Sequence, residues 1–191
     1  MPEIDYQKIG LRCGLEIHQR LDTKKLFCNC DSSQKGDHIH EIQRKLRPVA
    51  GELGEVDPAA AFEFLRSKIF VYKIAPYETC LVEADDEPPH HLNEEALKVA
   101  VQIAKLLNCD LVDEIHIMRK TVIDGSNTGG FQRTANIGLN GILETSFGEI
   151  RIPSINLEEE AARTEKRSNG KIIYRLSGLG IPLVEISTSS D

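Results

Sequence analysis

The sequence predicts an α+β fold: a mostly antiparallel sheet flanked by two helices on one face. Three observations lead there. Two segments open with helix-capping chemistry, at Asp57-Pro58 and at Asn93. After Asn108 the chain changes to strand-length apolar stretches joined by Gly-rich connections. No repeat or low-complexity segment interrupts that order, so strands and helices share one architecture.

Taken in order, residues 8–21 read as a strand, with Ile9, Leu11, Leu15, Ile17 and Leu21 apolar and Gly14 marking a bulge or a close backbone approach. Residues 31–57 are polar and loop-rich, broken by Pro48, Gly51 and Gly54. Asp57 as N-cap and Pro58 at the first helical position start a helix over residues 58–68, with Phe62, Leu65 and Ile69 at helical spacing. Short strands follow at Phe70-Val71-Tyr72 and Cys80-Leu81-Val82. Residues 85–91 form a rigid acidic loop, because Pro88 and Pro89 bar helix there. Asn93 caps the clearest helix, residues 94–107, with Leu97, Val101, Ala104 and Leu107 or Asn108 inward and Glu94 and Glu95 at the positive end of the dipole. Beyond it, Ile115, Ile117 and Val122 flank Arg119-Lys120, and strands are predicted at 134–143, 149–157, 171–176 and 181–187.

Composition narrows the class. The 191 residues are 40% hydrophobic and 28% charged, as in a globular protein. No apolar run nears the roughly 20 residues of a membrane helix, and the start lacks a signal peptide, so a cytoplasmic location is expected. Net charge is −7, which disfavours unspecific nucleic-acid binding and suits carboxylates that hold Mg²⁺. Five cysteines in such a chain argue against a disulfide framework. Cys13 and Cys109 sit in apolar contexts and read as buried thiols. Cys28, Cys30 and Cys80 could hold Zn²⁺ with a fourth ligand from His38, His40 or outside the chain; free loop thiols are the alternative.

Four segments carry chemistry. Glu16 and His18, two apart on a strand, share a face and could hold a hard cation or act as an acid/base pair. Glu158-Glu159-Glu160 would repel one another unless a cation intervenes, or would open a solvated helix capped by Asn156. Glu185 lies among Leu183, Val184 and Ile186, where a carboxylate is costly unless paired, metal-bound or turned to water. The stretch from Arg119 and Lys120 through Asp124, Ser126, Asn127 and Thr128 to Gln132 and Arg133 combines cations, hydroxyls, amides and paired glycines that suit phosphate. It lacks Walker A spacing, and a charged hairpin is its alternative.

Together, Gly14-Leu15-Glu16-Ile17-His18, Lys25-Leu26-Phe27-Cys28-Asn29-Cys30, Arg119-Lys120, Leu157-Glu158-Glu159 and the run from Gly180 to Ile186 resemble the B and E subunits of the tRNA-dependent amidotransferases. Residues 46–57, Thr79 to Glu83, Asp86 to Pro89 and Asp124 to Thr128 resemble the E branch, which is archaeal and acts on glutamyl-tRNA(Gln). The resemblance spans residues 8–191. It implies a kinase-like cradle domain, here its N-terminal part, with the inserted, helical and tail domains of the longer subunits absent. It implies ATP- and Mg²⁺-dependent phosphorylation of the glutamyl side chain of Glu-tRNA(Gln), then amidation by ammonia from a partner amidohydrolase, the asparaginase-like D subunit.

Carried over, the resemblance places Glu16, His18, Glu159 and Glu185 at Mg²⁺, Arg119 and Lys120 in charge stabilisation, and Asp124, Ser126, Asn127, Thr128 and Gln132 in the nucleotide and acyl-phosphate pocket. Cys28, Cys30 and Cys80 fall near the first strand; the C-P-x-C half of zinc-binding B subunits is missing, so zinc stays open. With the tRNA-grasping domains absent, the chain alone is expected to be inactive. The contrasting expectation is a non-catalytic scaffold that binds a partner protein or tRNA.

Overall fold

The computed structural model describes residues 4–6, 8–51 and 53–190, and the statements below concern those residues. In chain order the elements are β1 (Glu16–Arg20), β2 (His40–Arg44), α1 (Pro58–Leu65), β3 (Ile69–Ile74), α2 (Glu94–Leu106), β4 (Asp110–Leu111) and β5 (Ile117–Thr121). They continue as β6 (Phe131–Thr145), β7 (Gly148–Glu159), β8 (Arg163–Ser168), β9 (Lys171–Arg175), a 3-10 turn (Leu176–Gly178) and β10 (Pro182–Ser187). No helix among the described residues is long and apolar enough to cross a membrane.

The larger sheet is antiparallel, in the order β1-β10-β7-β6-β4, with β5 also on β6. Ala135, Leu157 and Val184 stand opposite one another across β6, β7 and β10, and all three are buried against α2. The helix starts where expected: Asn93 Oδ1 accepts from the Glu95 and Ala96 amides, and the helix ends at Leu106. Its deepest row is Ala96, Ala100 and Ala104, while Leu97, Val101 and Leu107 pack from the flanks and Asn108 is exposed. Alanine's small side chain lets the helix lie close to the sheet. Leu26, Ile137, Ile155 and Leu157 fill the remaining space, each contributing roughly 1.5–3 kcal/mol by burial.

The smaller sheet runs β2-β3-β9-β8, with β3 and β9 parallel and the outer pairs antiparallel. Phe70, Tyr72 and Tyr174 form its core, with ring centroids 6.4 Å and 5.9 Å from Tyr174. Tyr72 Oη donates to the Gly125 carbonyl and Tyr174 Oη to the Asp124 carbonyl, both at 2.8 Å. These bonds tie the Asp124–Gly130 loop of the larger sheet to the smaller one. Gly125 has φ +85°, and a Cβ there would meet the Phe70 ring at 2.3 Å, so only glycine fits this junction.

The α+β class is therefore observed, and several elements differ from expectation. Residues 8–15 are not strand: β1 pairs only with β10, and that register stops at Glu16 opposite Ser187. The close approach expected at Gly14 is present, since a Cβ would lie 2.6 Å from the Thr188 carbonyl. β2 lies inside the region read as loop; Ile42 packs on the smaller core, but His40, Glu41 and Gln43 face out at an edge. β8 also lies outside the predicted strands, because it is polar and wholly exposed and exists through its pairing with β9. Cys80-Leu81-Val82 is a turn, closed by bonds from the Ala84 amide to the Cys80 carbonyl and from the Asp86 amide to the Leu81 carbonyl. The helix expected over 58–68 starts on the Asp57 cap and stops at Leu65. It buries no residue, so only α2 lies on the sheet face. Cys13 is exposed and Cys109 half-buried; neither is the buried thiol expected, because Leu11 and Leu15 beside Cys13 are themselves exposed. Residues 156–160 continue as strand and loop rather than starting a helix.

Candidate metal centre and cysteine cluster

On the sheet face away from α2, register builds a row. Asn136 pairs with Asn156, Asn156 with Glu185, and Glu185 with His18. In the next row Thr134 stands opposite Glu158. Imidazole and carboxylates converge: His18 Nε2 lies 3.3 Å from Glu185 Oε2 and 3.8 Å from Glu158 Oε2, and ligand atoms of all three fall within 4.8 Å of one another. Glu158 and Glu185 are buried, and the His18 side chain remains 41% exposed, which leaves a way in from solvent.

The carboxylates are driven apart electrostatically. Burial, joined by the Glu185 charge, raises the pKa of Glu158 against the Thr134 hydrogen bond and the nearby Lys120 charge. Burial also acts upward on Glu185, yet hydrogen bonds from Ser187, Glu158 and Asn156 and the His18 charge outweigh it and hold Glu185 below the ordinary carboxylate range. Two carboxylates sharing a site push the pKa of one upward. Two oxygen donors and one imidazole, so placed, fit a hard divalent cation.

Of the expected metal set, His18 and Glu185 are brought together. Glu16 shares the His18 face two residues along, opposite Ser187, and is not part of the cluster. Glu159 is on the other face. Successive strand residues alternate sides, so Leu157 facing α2 puts Glu158 toward His18 and turns Glu159 back inward. There Arg133 Nη1 donates to both Glu159 oxygens at 2.9 and 3.1 Å. Burial pushes the Glu159 pKa up, opposed by Arg133. The same alternation divides Arg119 from Lys120: Lys120 pairs with Gln132 on the Glu158 face, and Arg119 pairs with Arg133 on the other. Arg119 and Arg133 both stack on the Phe131 ring, 5.3 Å from its centroid.

In the expected phosphate pocket, Gln132 reaches the centre, with Nε2 3.3 Å from Glu158 Oε2 and 2.7 Å from the Glu159 carbonyl. Asp124, Ser126, Asn127 and Thr128 lie at the junction of the two sheets. Asp124 Oδ1 accepts from the Ser126 amide, Thr128 Oγ1 donates to the Glu83 carbonyl, and Ser126, Asn127 and Thr128 are buried. Of the Glu158-Glu159-Glu160 trio the resemblance carried Glu159 to the metal set, whereas it is Glu158 that lies beside His18; the inward Leu157 was the signal that separates them.

A second cluster joins Cys28, Cys30, Cys80 and Glu83, with ligand atoms within 4.8 Å of one another. Cys28 Sγ donates to Glu83 Oε1 at 2.8 Å, and Glu83 Oε2 accepts from the Cys80 amide at 2.7 Å. Lys25, fully buried, places Nζ 3.8 Å from Glu83 Oε1. The hydrogen bond with Cys30, then burial and the Glu83 charge, drive the Cys28 thiol far up; burial pushes Cys80 up to about 11. Three sulfurs and one carboxylate around one point suit zinc, which binds thiolates by displacing such protons. Neither His38, which contacts Ser177 Oγ at 3.2 Å, nor His40 on β2 is part of this cluster. The fourth member is Glu83, three residues after Cys80, which the turn over Cys80 brings to the sulfurs.

Fold and site define an α+β protein with a His-and-carboxylate cluster on the sheet face away from α2 and a cysteine-rich cluster on the other side. The chain belongs to the GatB/GatE catalytic domain family, whose sequence profile matches residues 11–191. It is 52% identical over 190 residues to the E subunit of glutamyl-tRNA(Gln) amidotransferase from Aeropyrum pernix, covering 99% of this chain and 30% of that protein. The E subunit of the same enzyme from Saccharolobus solfataricus is 54% identical over 192 residues, and that from Sulfurisphaera tokodaii 53%, each covering all of this chain and 30% of the relative. The chain thus spans about 30% of the length of the curated relatives it matches.

Proposed function

We propose that this chain carries the carboxylate-activating centre of a glutamyl-tRNA(Gln) amidotransferase. The observation that supports the reading is the convergence of His18, Glu158 and Glu185 across β1, β7 and β10. The relatives' names supply the substrate: the glutamyl group on tRNA(Gln). A carboxylate accepts ammonia poorly until its oxygen is phosphorylated. In this reading the glutamyl oxygen attacks the terminal phosphorus of ATP and displaces ADP; ammonia then attacks the acyl carbon, phosphate leaves, and Gln-tRNA(Gln) results.

His18, Glu158 and Glu185 would hold Mg²⁺, which offsets phosphate charge when bound. Lys120, on the same face, supplies a point charge for the transferring phosphoryl group, and Gln132 fixes the orientation of Glu158. Arg119 stacks on Phe131 on the opposite face. The cluster of Cys28, Cys30, Cys80 and Glu83 would hold structural Zn²⁺. A partner amidohydrolase, the asparaginase-like D subunit, would deliver ammonia, and the protein would act in the cytoplasm.

The test is phosphate release from ATP dependent on Glu-tRNA(Gln), measured in the full-length protein carrying His18→Ala, Glu158→Gln or Glu185→Gln. Loss of release in all three is expected. Release at the unaltered rate in these variants would remove the assignment.

A further inference from the structure

Both carboxylates of the His18 centre share one arrangement: a hydroxyl donates to one oxygen, and the other oxygen faces the imidazole. Glu158 Oε1 accepts from Thr134 Oγ1 at 2.9 Å, while Oε2 faces His18 Nε2 at 3.8 Å. Gln132 Nε2 also reaches Oε2, at 3.3 Å, but its shorter bond of 2.7 Å goes to the Glu159 carbonyl. Glu185 repeats the pattern. Its Oε1 accepts from Ser187 Oγ at 3.1 Å and from Asn156 Nδ2 at 3.4 Å, and Oε2 faces His18 Nε2 at 3.3 Å. Asn156 is itself oriented, because its Oδ1 accepts from Asn136 Nδ2 at 2.9 Å and leaves Nδ2 for Glu185.

Such locking has a chemical consequence. A carboxylate with one oxygen hydrogen-bonded and held in place favours binding a cation through its other oxygen. Mg²⁺ suits single oxygens in a tight, near-octahedral shell, whereas larger Ca²⁺ takes more oxygens and commonly grips a carboxylate by both. Thr134 and Glu158 are buried, so water does not readily replace the hydroxyl between them.

We propose that Thr134, Asn156 and Ser187 are positioning residues that restrict Glu158 and Glu185 to one oxygen each toward His18, and so make the centre select Mg²⁺ or Mn²⁺ over Ca²⁺. The inference rests on the cation reading of His18, Glu158 and Glu185 given above.

The test is direct metal binding by the chain: Mn²⁺ followed by electron paramagnetic resonance, displaced by Mg²⁺ or by Ca²⁺. The unaltered chain binds Mn²⁺ and yields it to Mg²⁺ more readily than to Ca²⁺. Thr134→Val and Ser187→Ala weaken Mg²⁺ roughly 10–100-fold, the usual cost of losing a partner behind a metal ligand, and Ca²⁺ much less. Thr134→Ser, which keeps the hydroxyl, retains the original preference. Circular dichroism checks folding, and the half-buried Ser187 carries the test should Thr134→Val not fold. An unchanged Mg²⁺-to-Ca²⁺ ratio in both variants, with Mn²⁺ still bound, overturns the positioning roles and leaves the cation reading standing. Equal preference for Ca²⁺ in the unaltered chain overturns the selectivity. Absence of Mn²⁺ binding, or binding that Glu158→Gln does not weaken, overturns the cation reading and this inference with it.

Discussion

Glu158 and Glu159 are neighbours in the chain, yet their carboxylates work on opposite faces of one sheet: Glu158 meets His18, and Glu159 meets Arg133. The pleat of β7 separates them, so one residue serves the centre and the other the interior.

That separation predicts unlike outcomes for two like substitutions. Glu159→Gln leaves Arg133, itself largely buried, without its counter-charge and costs roughly 3 kcal/mol of folding stability. Glu158→Gln keeps an acceptor for Thr134 and removes a desolvated acid beside Glu185, so stability stays within about 1 kcal/mol. Urea unfolding of both variants at neutral pH checks the contrast; equal losses would refute it.

Gly125 joins the two sheets at a positive φ with the Phe70 ring against it. Gly125→Ala combines backbone strain with a steric clash and should cost roughly 2–4 kcal/mol. The denaturation midpoint reports this, and Gly170→Ala is the control: it shares a positive φ but has nothing within 4 Å of its Cβ, so it should lose less.

For the cysteine cluster, the expected result is one bound zinc per chain that Cys30→Ser or Cys80→Ala removes. At a free metal concentration 100-fold over Kd, a bound ion contributes about 2.7 kcal/mol, so chelation lowers the melting temperature and added Zn²⁺ restores it. Metal analysis with paired melting curves decides; a melting temperature indifferent to chelator would exclude a structural zinc.

Acid should weaken the smaller sheet in a defined window. Glu165 on β8 bonds to Arg175 at 2.8 Å and Lys73 at 2.6 Å, and those bonds pull its pKa down to about 2. An unfolded glutamate titrates near about 4.3. Because the folded value is the lower one, the contribution is complete above the unfolded pKa and is lost as pH falls through the folded one. The pairs are partly open to water, so the loss is on the order of 1 kcal/mol or less. Glu165→Gln should flatten this acid limb in urea midpoints taken across that window.

Local chemistry was legible in the chain. Asp57 and Asn93 cap α1 and α2 where they were expected, because an N-cap needs only a side-chain oxygen and the next few amides. β6, β7 and β10 of the larger sheet were legible through their apolar runs. β2 and β8 were not: their residues are mostly exposed and polar, and their pairing with β3 and β9 is what makes them strands. The Cys28 and Cys30 pair was visible, but Glu83 as its companion needed the turn that closes over Cys80.

By itself, then, the sequence determined the α+β class, the helix starts, the family resemblance and the residue types available for metal and phosphate. Which carboxylates act together was decided by tertiary structure. Strand register sets His18 beside Glu185 and Asn156 behind it, across segments far apart in the chain. The packing of α2 on Leu157 fixes which face of β7 is inside, and with it the choice of Glu158 over Glu159. A pleated strand offers each side chain one of two faces, and only burial of the partner face settles which.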